Sequence, residues 1–225
     1  MTISVVIPAL EEAAHIVRAV ESVVGFGVEV IVVDGRSQDE TARLARDAGA
    51  RVFEAPDGLR GRAHQLRLGS EKSTGEVILF LHADTTLSSG WKDEVDRVMA
   101  DSACAGGAFS LRFAERGIWE RWIEGWVAAR VLLLRLPYGD QALFMRRNVL
   151  ERMGGVPTVP IMEDLDLVRA IKRAGRMEIL AQTATTSSRR YRRGGTLRTI
   201  LWHQLALLGW ALGWDRAWLA RRMGR

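Results

Sequence analysis

Carboxylates and an imidazole stand at the ends of two strongly apolar runs, and these side chains are the ones best suited to chemistry. His82 and Asp84 follow the run 77–81, and Asp34 ends the run 30–33. A run without polar positions predicts a strand buried on both faces of a parallel sheet, and ligands collect at the carboxyl ends of such strands. The side chains there could hold a ligand or a metal ion. Asp84 could instead cap the turn after its strand, because Asp bonds nearby backbone N–H groups.

A further acidic pair opens a predicted helix later in the chain. Glu163 and Asp164 lie in its first turn, and Asp166 is expected to face solvent. An acidic residue at a helix start stabilises the helix dipole by about 0.3–1 kcal/mol without any catalytic role. A carboxylate directed at a bound ligand could also accept a proton as a general base. From these residues alone, both interpretations of Asp164 stay open.

The elements that must position these residues follow a regular order. Strand and helix patterns alternate with short connections, which predicts an α/β fold with a right-handed, mostly parallel, Rossmann-like sheet flanked by helices on both faces. A later strand is expected to pair antiparallel. The predicted strands are 3–8, 28–34, 52–53, 77–81 and 105–113, and the helices between them start near Glu11, Thr41, Arg62 and Trp91.

Composition limits the class of protein. The chain has 225 residues, of which 48% are hydrophobic, so it can bury a substantial core. Its net charge of +5 favours an anionic partner such as a nucleotide diphosphate, nucleic acid or an acidic membrane surface. The single cysteine, Cys104, cannot form an intrachain disulfide or a cysteine zinc cluster. We therefore expect a cytoplasmic setting, and no secretion signal is visible.

Two later segments combine tryptophan and leucine with arginine. Charged residues punctuate the segment 118–136, which predicts an amphipathic helix rather than a membrane span. A second helix is predicted at 197–218, and it could lie in a membrane interface or pack on the core. The predicted division is a domain at 1–195, with a nucleotide-binding half at 1–100 and an acceptor half at 101–195, followed by a C-terminal amphipathic helix at 196–225.

Five short motifs follow one another along the chain. They are Pro8-Ala9-Leu10-Glu11-Glu12, Asp34-Gly35-Arg36-Ser37, His82-Ala83-Asp84, Gly139-Asp140-Gln141 and Glu163-Asp164. Their order and approximate spacing resemble family 2 glycosyltransferases with the GT-A fold, and look closest to a short bacterial branch whose metal-binding motif reads His-Ala-Asp. The resemblance covers 3–173. It implies a GT-A fold, a UDP- or GDP-sugar donor, inverting sugar transfer, and Mn²⁺ or Mg²⁺ as cofactor.

For the donor, the resemblance assigns roles at the ends of the first two strands. Pro8, Ala9 and Glu12 belong to a donor loop, with Glu12 near the ribose. Asp34 would accept a hydrogen bond from a uracil-like imide N–H, which is compatible with an Asx turn at the same residue. Arg62 matches an arginine near the base or diphosphate, although a lone arginine is more often an exposed helix residue.

For the diphosphate, the resemblance makes Asp84 the metal ligand. Magnesium and manganese prefer oxygen ligands and stabilise charge that builds on a leaving phosphate. His82 and Ala83 would lie beside the ribose or in the outer shell of the metal. His203 is a candidate additional metal ligand, although a lone histidine on an apolar helix is more often a packed residue.

For the acceptor, the resemblance makes Asp164 the general base that takes the proton of an attacking hydroxyl. Glu163 would orient neighbouring loops. Gly139, Asp140 and Gln141 would line the donor-sugar or acceptor side, because glycine permits close approach of the backbone. These assignments together predict a single-displacement reaction that inverts the anomeric carbon.

The remaining expectations concern partners. The basic run 189–193, with Arg190 as its donor-binding residue, would close over the diphosphate, or it forms a solvated or membrane-facing surface. The acceptor would be a hydroxyl compound, with a lipid as one candidate, reached by peripheral contact at the inner face of the cell membrane.

Two other classes were weighed against this interpretation. A nucleotidyltransferase would carry a glycine-rich, basic phosphate loop after the first strand, which 8–12 lacks. A nucleic-acid-binding module is disfavoured because the arginines are dispersed and the strands end in carboxylates, so no nucleic-acid partner is expected.

Overall fold

The computed structural model describes residues 1–25, 27–58, 61–115, 117–189 and 196–223, and no side chain for 196–200 or 203. The strands are β1 (Ile3–Ala9), β2 (Glu29–Asp34), β3 (Arg51–Glu54), β4 (Val77–Phe80), β5 (Thr85–Leu87), β6 (Cys104–Phe113), β7 (Phe144–Arg146) and β8 (Arg176–Thr186). The helices are α1 (Ile16–Glu21), α2 (Thr41–Asp47), α3 (Arg62–Lys72), α4 (Trp91–Met99), α5 (Ile118–Leu134), α6 (Arg147–Arg152), α7 (Glu163–Ala174), α8 (Thr196–Ala211) and α9 (Arg216–Arg222), with a 3-10 turn at Gly139–Gln141.

All eight described strands form one sheet, in the order β3-β2-β1-β4-β7-β6-β8-β5. β1 lies between β2 and β4 and pairs parallel with both, and β3 extends the parallel part. Every residue of β1 and β4 is buried, as expected for strands covered on both faces. Parallel strands end at the same edge, so Ala9 lies opposite Asp34 and the chain leaves β4 for His82 there.

The second part of the sheet is mixed. β7 runs antiparallel to β4 and to β6, β6 runs parallel to β8, and β5 runs antiparallel to β8. The predicted α/β fold with a mostly parallel sheet is confirmed, and the expected antiparallel pairing of 105–113 is found with β7. The pairing with β8 was not predicted.

Helices cover both faces of the sheet because successive residues of a strand point to opposite sides. On β1, Val5 belongs to the apolar cluster that includes Ile16 of α1 and Val95 of α4. Its neighbour Val6 belongs to the opposite cluster, with Leu66 of α3 and residues of α6 and α7. The strand ends that carry the polar residues are therefore held from both sides.

The C-terminal segment differs from the single helix predicted at 197–218. α8 ends at Ala211 and α9 begins at Arg216. Gly213 between them has φ +74°, which glycine adopts without steric cost. Asp215 caps α9 by accepting from the backbone N–H of Trp218. Among the described residues, no helix has the length and apolarity needed to cross a bilayer.

The expectation that Asp166 faces solvent is wrong. Its side chain on α7 is 16% exposed, and it accepts hydrogen bonds from Trp210 Nε1 at 3.0 Å and from Arg216 Nη2 at 3.0 Å. Arg169, one turn further along α7, stacks on the Trp210 ring at 4.0 Å. These contacts join α8 and α9 to α7.

We predict that Gly106→Ala destabilises the protein by at least about 1–3 kcal/mol. A Cβ at Gly106 in β6 would overlap the carbonyl oxygen of Phe144 and lie 2.9 Å from Met145 Cα, so neighbouring backbone has to move. Urea denaturation gives the free energy of unfolding. The control is Gly125→Ala on α5, where no atom lies within 4 Å of the new Cβ, and which should stabilise by about 0.5–1 kcal/mol. Equal stability of both variants would contradict this packing.

Candidate active site

A cavity of about 960 Å³ opens at the carboxyl ends of β1, β2 and β4. The loops after these strands and the N-terminus of α3 form its walls. Cavities at this edge of a sheet are the usual ligand sites of open α/β folds. The sequence-predicted residues that line it are Pro8, Ala9, Glu12, Asp34, Arg62, His82, Ala83 and Asp84.

The loops after β1 and β2 are hydrogen-bonded to each other. Gly35 N donates to Ala9 O at 2.7 Å, and Glu12 N donates to Thr41 Oγ1 at 2.8 Å. Glu11 takes φ +54° and accepts from Gln38 N at 2.6 Å. The left-handed residue and these bonds delay the first helix, so α1 starts at Ile16 instead of Glu11. These hydrogen bonds hold the loop at 8–12 against the loop after β2.

Asp34 caps the turn after β2 and forms the Asx turn expected for it. Its Oδ2 accepts from the backbone N–H of Arg36 at 3.1 Å and of Ser37 at 3.0 Å, and its Oδ1 accepts from Ser37 Oγ at 2.6 Å. The residue is 4% exposed but still lines the cavity. A carboxylate has about four acceptor positions, so a ligand N–H could be accepted as well.

Gln65 supports this edge of the sheet and was not predicted. Its Nε2 donates to Ala9 O at 2.7 Å and to Val33 O at 2.9 Å, and it is 6% exposed. A Cβ at Gly35 would lie 2.9 Å from this nitrogen, so glycine makes room for the amide. The sequence signal that could have indicated this role is the position of Gln65 next to Leu66, on the buried face of α3.

Arg62 joins three motifs. Its Nε donates to Glu163 Oε1 at 2.6 Å, and its Nη1 lies 2.9 Å from His82 Nε2. A guanidinium cannot accept a hydrogen bond, so His82 Nε2 is the acceptor in this contact. Burial lowers the pKa of Arg62, but the charges of Glu163 and Asp164 outweigh burial and raise it. Glu163 thus contacts a cavity residue directly.

Gly139 brings Asp164 and His82 together. Its N–H donates to Asp164 Oδ2 at 2.8 Å, and Leu165 N donates to Asp164 Oδ1 at 2.9 Å. A Cβ at Gly139 would lie 3.3 Å from both Asp164 Oδ2 and His82 Nε2. The polar groups that end β4 and begin α7 therefore meet at this turn.

The other two residues of the turn differ in orientation. Asp140 is half-buried, and its negative charge contributes to the raised pKa of Arg62. Gln141 does not line the site as predicted. It is 1% exposed, donates to Phe109 O at 3.0 Å and accepts from Tyr138 N at 3.3 Å. Its side chain is needed to satisfy buried backbone groups, so it points into the fold and supports the turn.

Arg189 lies between two predicted ligand-binding carboxylates. Its Nη2 is 3.2 Å from Asp84 Oδ2 and forms an ion pair with Glu12. Burial lowers the pKa of Arg189, but the hydrogen bond and charge of Glu12, with the charge of Asp84, raise it overall. Thr186 Oγ1 lies 3.4 Å from Asp84 Oδ1. The guanidinium supplies positive charge at the place where the sequence predicts a metal ion.

The residues around Asp84 fit a metal site in which one carboxylate is completed by phosphate oxygens and water. Among the described residues, no three His, Cys, Asp or Glu side chains are grouped to hold a metal ion. Mg²⁺ and Mn²⁺ commonly bind through one or two carboxylates plus phosphate oxygens and water. Asp84 suits that arrangement, whereas a cage made of protein side chains alone does not fit. Arg190 and the side chain of His203 lie outside the described residues.

Solved structures with the same fold include proteins in complex with nucleotide sugars. Staphylococcus aureus TarS in complex with UDP-GlcNAc superposes with a TM-score of 0.65 and 16% identity, covering 84% of this chain and 59% of that one. The mannosyltransferase PcManGT from Pyrobaculum calidifontis, in complex with GDP-Man and Mn²⁺, superposes with a TM-score of 0.61 and 19% identity. The alignment covers 82% of this chain and 56% of PcManGT. The predicted GT-A fold is confirmed.

The sequence comparison identifies the family. Residues 4–154 match the family model for glycosyl transferase family 2, so the chain belongs to that family. A Rickettsia felis protein named "Uncharacterized glycosyltransferase" is 37% identical over 98 residues, which are 44% of this chain and 34% of the relative. The aligned region thus spans about a third of that relative. Family membership also disfavours the nucleotidyltransferase and nucleic-acid-binding alternatives.

We predict that Gln65→Leu costs about 1–3 kcal/mol of stability and weakens UDP binding. The substitution removes the amide donor from Val33 O and from Ala9 O, which keeps the Gly35 N–H, at the edge that carries Asp34. Urea denaturation and calorimetric titration with UDP measure the two effects. The control is Gln204→Leu, which removes a half-buried amide from α8, outside the cavity lining. UDP affinity equal to that of the unchanged protein would contradict the role of Gln65.

Proposed function

We propose that the chain is an inverting, metal-dependent glycosyltransferase that moves a sugar from a UDP- or GDP-sugar to the hydroxyl group of a lipid or another membrane-associated acceptor. The observation that carries the proposal is the convergence of Glu12, Asp34 and Asp84 in one cavity, with Asp164 bonded to Gly139 beside His82 of the cavity wall. The proposed transferase domain is 1–195, with 196–225 as its C-terminal extension, and the proposed location is the cytoplasmic face of the cell membrane.

The nucleotide would occupy the part of the cavity between the loops after β1 and β2. Asp34 accepts from the base imide N–H, and Glu12 accepts from ribose hydroxyls once Arg189 has moved away from it. A volume of about 960 Å³ is at the upper end of the range for small-molecule sites, which suits a nucleotide with a diphosphate and a sugar. The complexes of TarS with UDP-GlcNAc and of PcManGT with GDP-Man support this class of donor.

The diphosphate would lie between Arg62 and Asp84. A Mg²⁺ or Mn²⁺ ion held by Asp84 and the phosphates would offset the negative charge of the leaving group. Arg62 contributes a permanent positive charge from the cavity wall, and Arg189 is close enough to exchange its carboxylate partners for phosphate oxygens. Arg190 and His203 remain proposed contacts, to the diphosphate and to the metal respectively.

Asp164 would act as the general base. Its hydrogen bond from Gly139 N orients the carboxylate at the turn, next to His82. In the proposed step the acceptor oxygen forms a bond to C1 from the face opposite the diphosphate, and its proton passes to Asp164. The bond between C1 and the diphosphate oxygen breaks at the same time, with its electron pair leaving on that oxygen. This single displacement inverts the anomeric carbon.

We predict that Asp164→Asn lowers kcat by at least about 100-fold while donor binding persists. The amide keeps the size of the side chain but is not a competent base, and general bases contribute about 10²–10⁴-fold. Turnover is measured as UDP or GDP release with a panel of lipid-linked and soluble acceptors, and donor binding as the Tm shift with Mn²⁺ and nucleotide sugar.

The matched control is Asp93→Asn, which removes an exposed acid from the first turn of α4. It tests the alternative that Asp164 serves only the helix dipole, and it should leave turnover unchanged. Undiminished turnover of the Asp164 variant would exclude the base assignment, and no Tm shift with any nucleotide sugar would exclude the donor assignment.

We also predict that Mn²⁺ alone binds weakly and binds at least about tenfold more tightly when UDP is present. Asp84 offers one carboxylate, and Arg189 already pairs with it. Arg189→Gln should tighten binding of Mn²⁺ alone by roughly two- to fivefold, the strength of a partly exposed ion pair. Arg189→Lys keeps the charge and is the control. Tight calorimetric binding of Mn²⁺ to the nucleotide-free protein would contradict this account.

A further inference from the structure

The outer face of α5 is an unusually apolar surface. We call it the tryptophan face: Trp119, Trp122, Trp126, Leu132 and Leu133. The three tryptophans are 56%, 50% and 49% exposed, and the two leucines are 80% and 78% exposed. A contiguous exposed apolar patch of this kind marks a place where a protein meets a partner or a membrane.

This exposure is built into the helix. At about 100° per residue, Trp119, Trp122, Trp126 and Leu133 fall on one stripe. The rings of Trp122 and Trp126 stack, with centroids 6.3 Å apart and planes 10° from parallel. The stripe about 100° further round the helix is buried: Ile123, Val127 and Val131 pack with Phe113 of β6. The helix is therefore anchored by one face and presents the other.

The charges of α5 are sorted between the two faces. Both glutamates are withdrawn from the surface, since Glu124 accepts from Phe113 N at 2.6 Å and Glu120 accepts from Ser188 Oγ at 3.0 Å. Within 117–135, all of which the structure describes, the exposed charged residues are Arg121 and Arg135. A third cation, Lys172 of α7, lies next to the end of α5, where its Nζ donates to Leu134 O at 3.2 Å.

We infer that the tryptophan face binds an anionic lipid bilayer. Indole rings favour the headgroup region, leucines favour the adjacent acyl layer, and arginine and lysine attract anionic headgroups. A symmetric contact with a second copy of the chain would bring arginines together without acidic residues on that face to pair with them. The charge pattern therefore fits an anionic surface better than a self-association interface.

The buried side of the same helix reaches the candidate active site. Arg130 donates to Leu136 O at 3.0 Å, lies 3.4 Å from Gln141 Oε1, and its guanidinium stacks on Tyr138 at 3.5 Å. These residues flank the turn whose Gly139 holds Asp164. Docking of the outer face would thus place the acceptor side of the site near lipid, and only this last step rests on the proposed function.

The test is co-sedimentation of the full chain with vesicles of phosphatidylcholine containing phosphatidylglycerol. We expect Trp122→Ser/Trp126→Ser to lower the partition coefficient by roughly tenfold or more. Arg121→Gln/Arg135→Gln should lower the partition coefficient by roughly fivefold or more. Added salt should weaken the binding of the unchanged protein to the vesicles. Tryptophan fluorescence should be quenched by brominated lipid in the unchanged protein, and less so in the tryptophan variant.

The matched control is Trp214→Ser/Trp218→Ser, which removes another exposed aromatic pair, 39% and 40% exposed, from the C-terminal segment. It should keep vesicle binding within about twofold. Equal binding by all variants, or a larger loss in the C-terminal variant, would overturn the inference. So would sedimentation velocity showing a dimer that the Trp122→Ser/Trp126→Ser change dissociates.

Two readouts separate this inference from the proposed function. The Tm shift with nucleotide sugar and Mn²⁺ does not involve α5, and it should be equal in the unchanged protein and the α5 variants, which also shows that they fold. Vesicle binding without any donor shift would defeat the proposed function and leave the membrane surface intact. A Tm shift with the donor but no vesicle binding would overturn the membrane inference and leave the proposed function intact.

Discussion

The ion pair between Arg62 and Glu163 holds the candidate site together. Arg62 begins α3 and Glu163 begins α7, and the same guanidinium reaches His82 after β4. Glu163 is 3% exposed, so removal of its partner would leave a buried charge at a cost of about 3–5 kcal/mol. Formation of such a pair gains much less, because both ions lose water. The pair therefore serves mainly to fix the relative positions of elements that are about a hundred residues apart in sequence.

Two arginines of the cavity wall are each paired with carboxylates. Arg62 is paired with Glu163, and Arg189 is paired with Glu12 and Asp84. A bound diphosphate would compete for the same arginines and would release carboxylates for ribose hydroxyls and a metal ion. Binding would thus exchange one set of neutralised pairs for another, which would avoid an unpaired charge in a partly buried site.

The sequence predicted the positions of several cavity-lining residues, but not the residues that support them. Asp34 and His82 were found because apolar runs place them at strand ends, where topology brings them together. Gln65 was missed because one amide within a helix has no distinctive pattern, and its two carbonyl partners come from separate strands. The direction of Gln141 depends on Phe109 O of β6, a contact 32 residues away. Pairing of β6 with β8 is equally non-local, so spacing along the chain gives no signal for it.

The C-terminal segment bears on the site through Asp166. That carboxylate stands two residues after Asp164 in the first turn of α7 and receives hydrogen bonds from Trp210 of α8 and Arg216 of α9. Successive positions on a helix point in different directions, so Asp164 faces the cavity turn while Asp166 faces the C-terminal helices. The start of α7 is consequently held from two sides: by Gly139 N at the site and by α8 and α9 behind it. A helix start restrained in this way can keep Asp164 in one orientation, which a general base needs because proton transfer requires hydrogen-bond geometry.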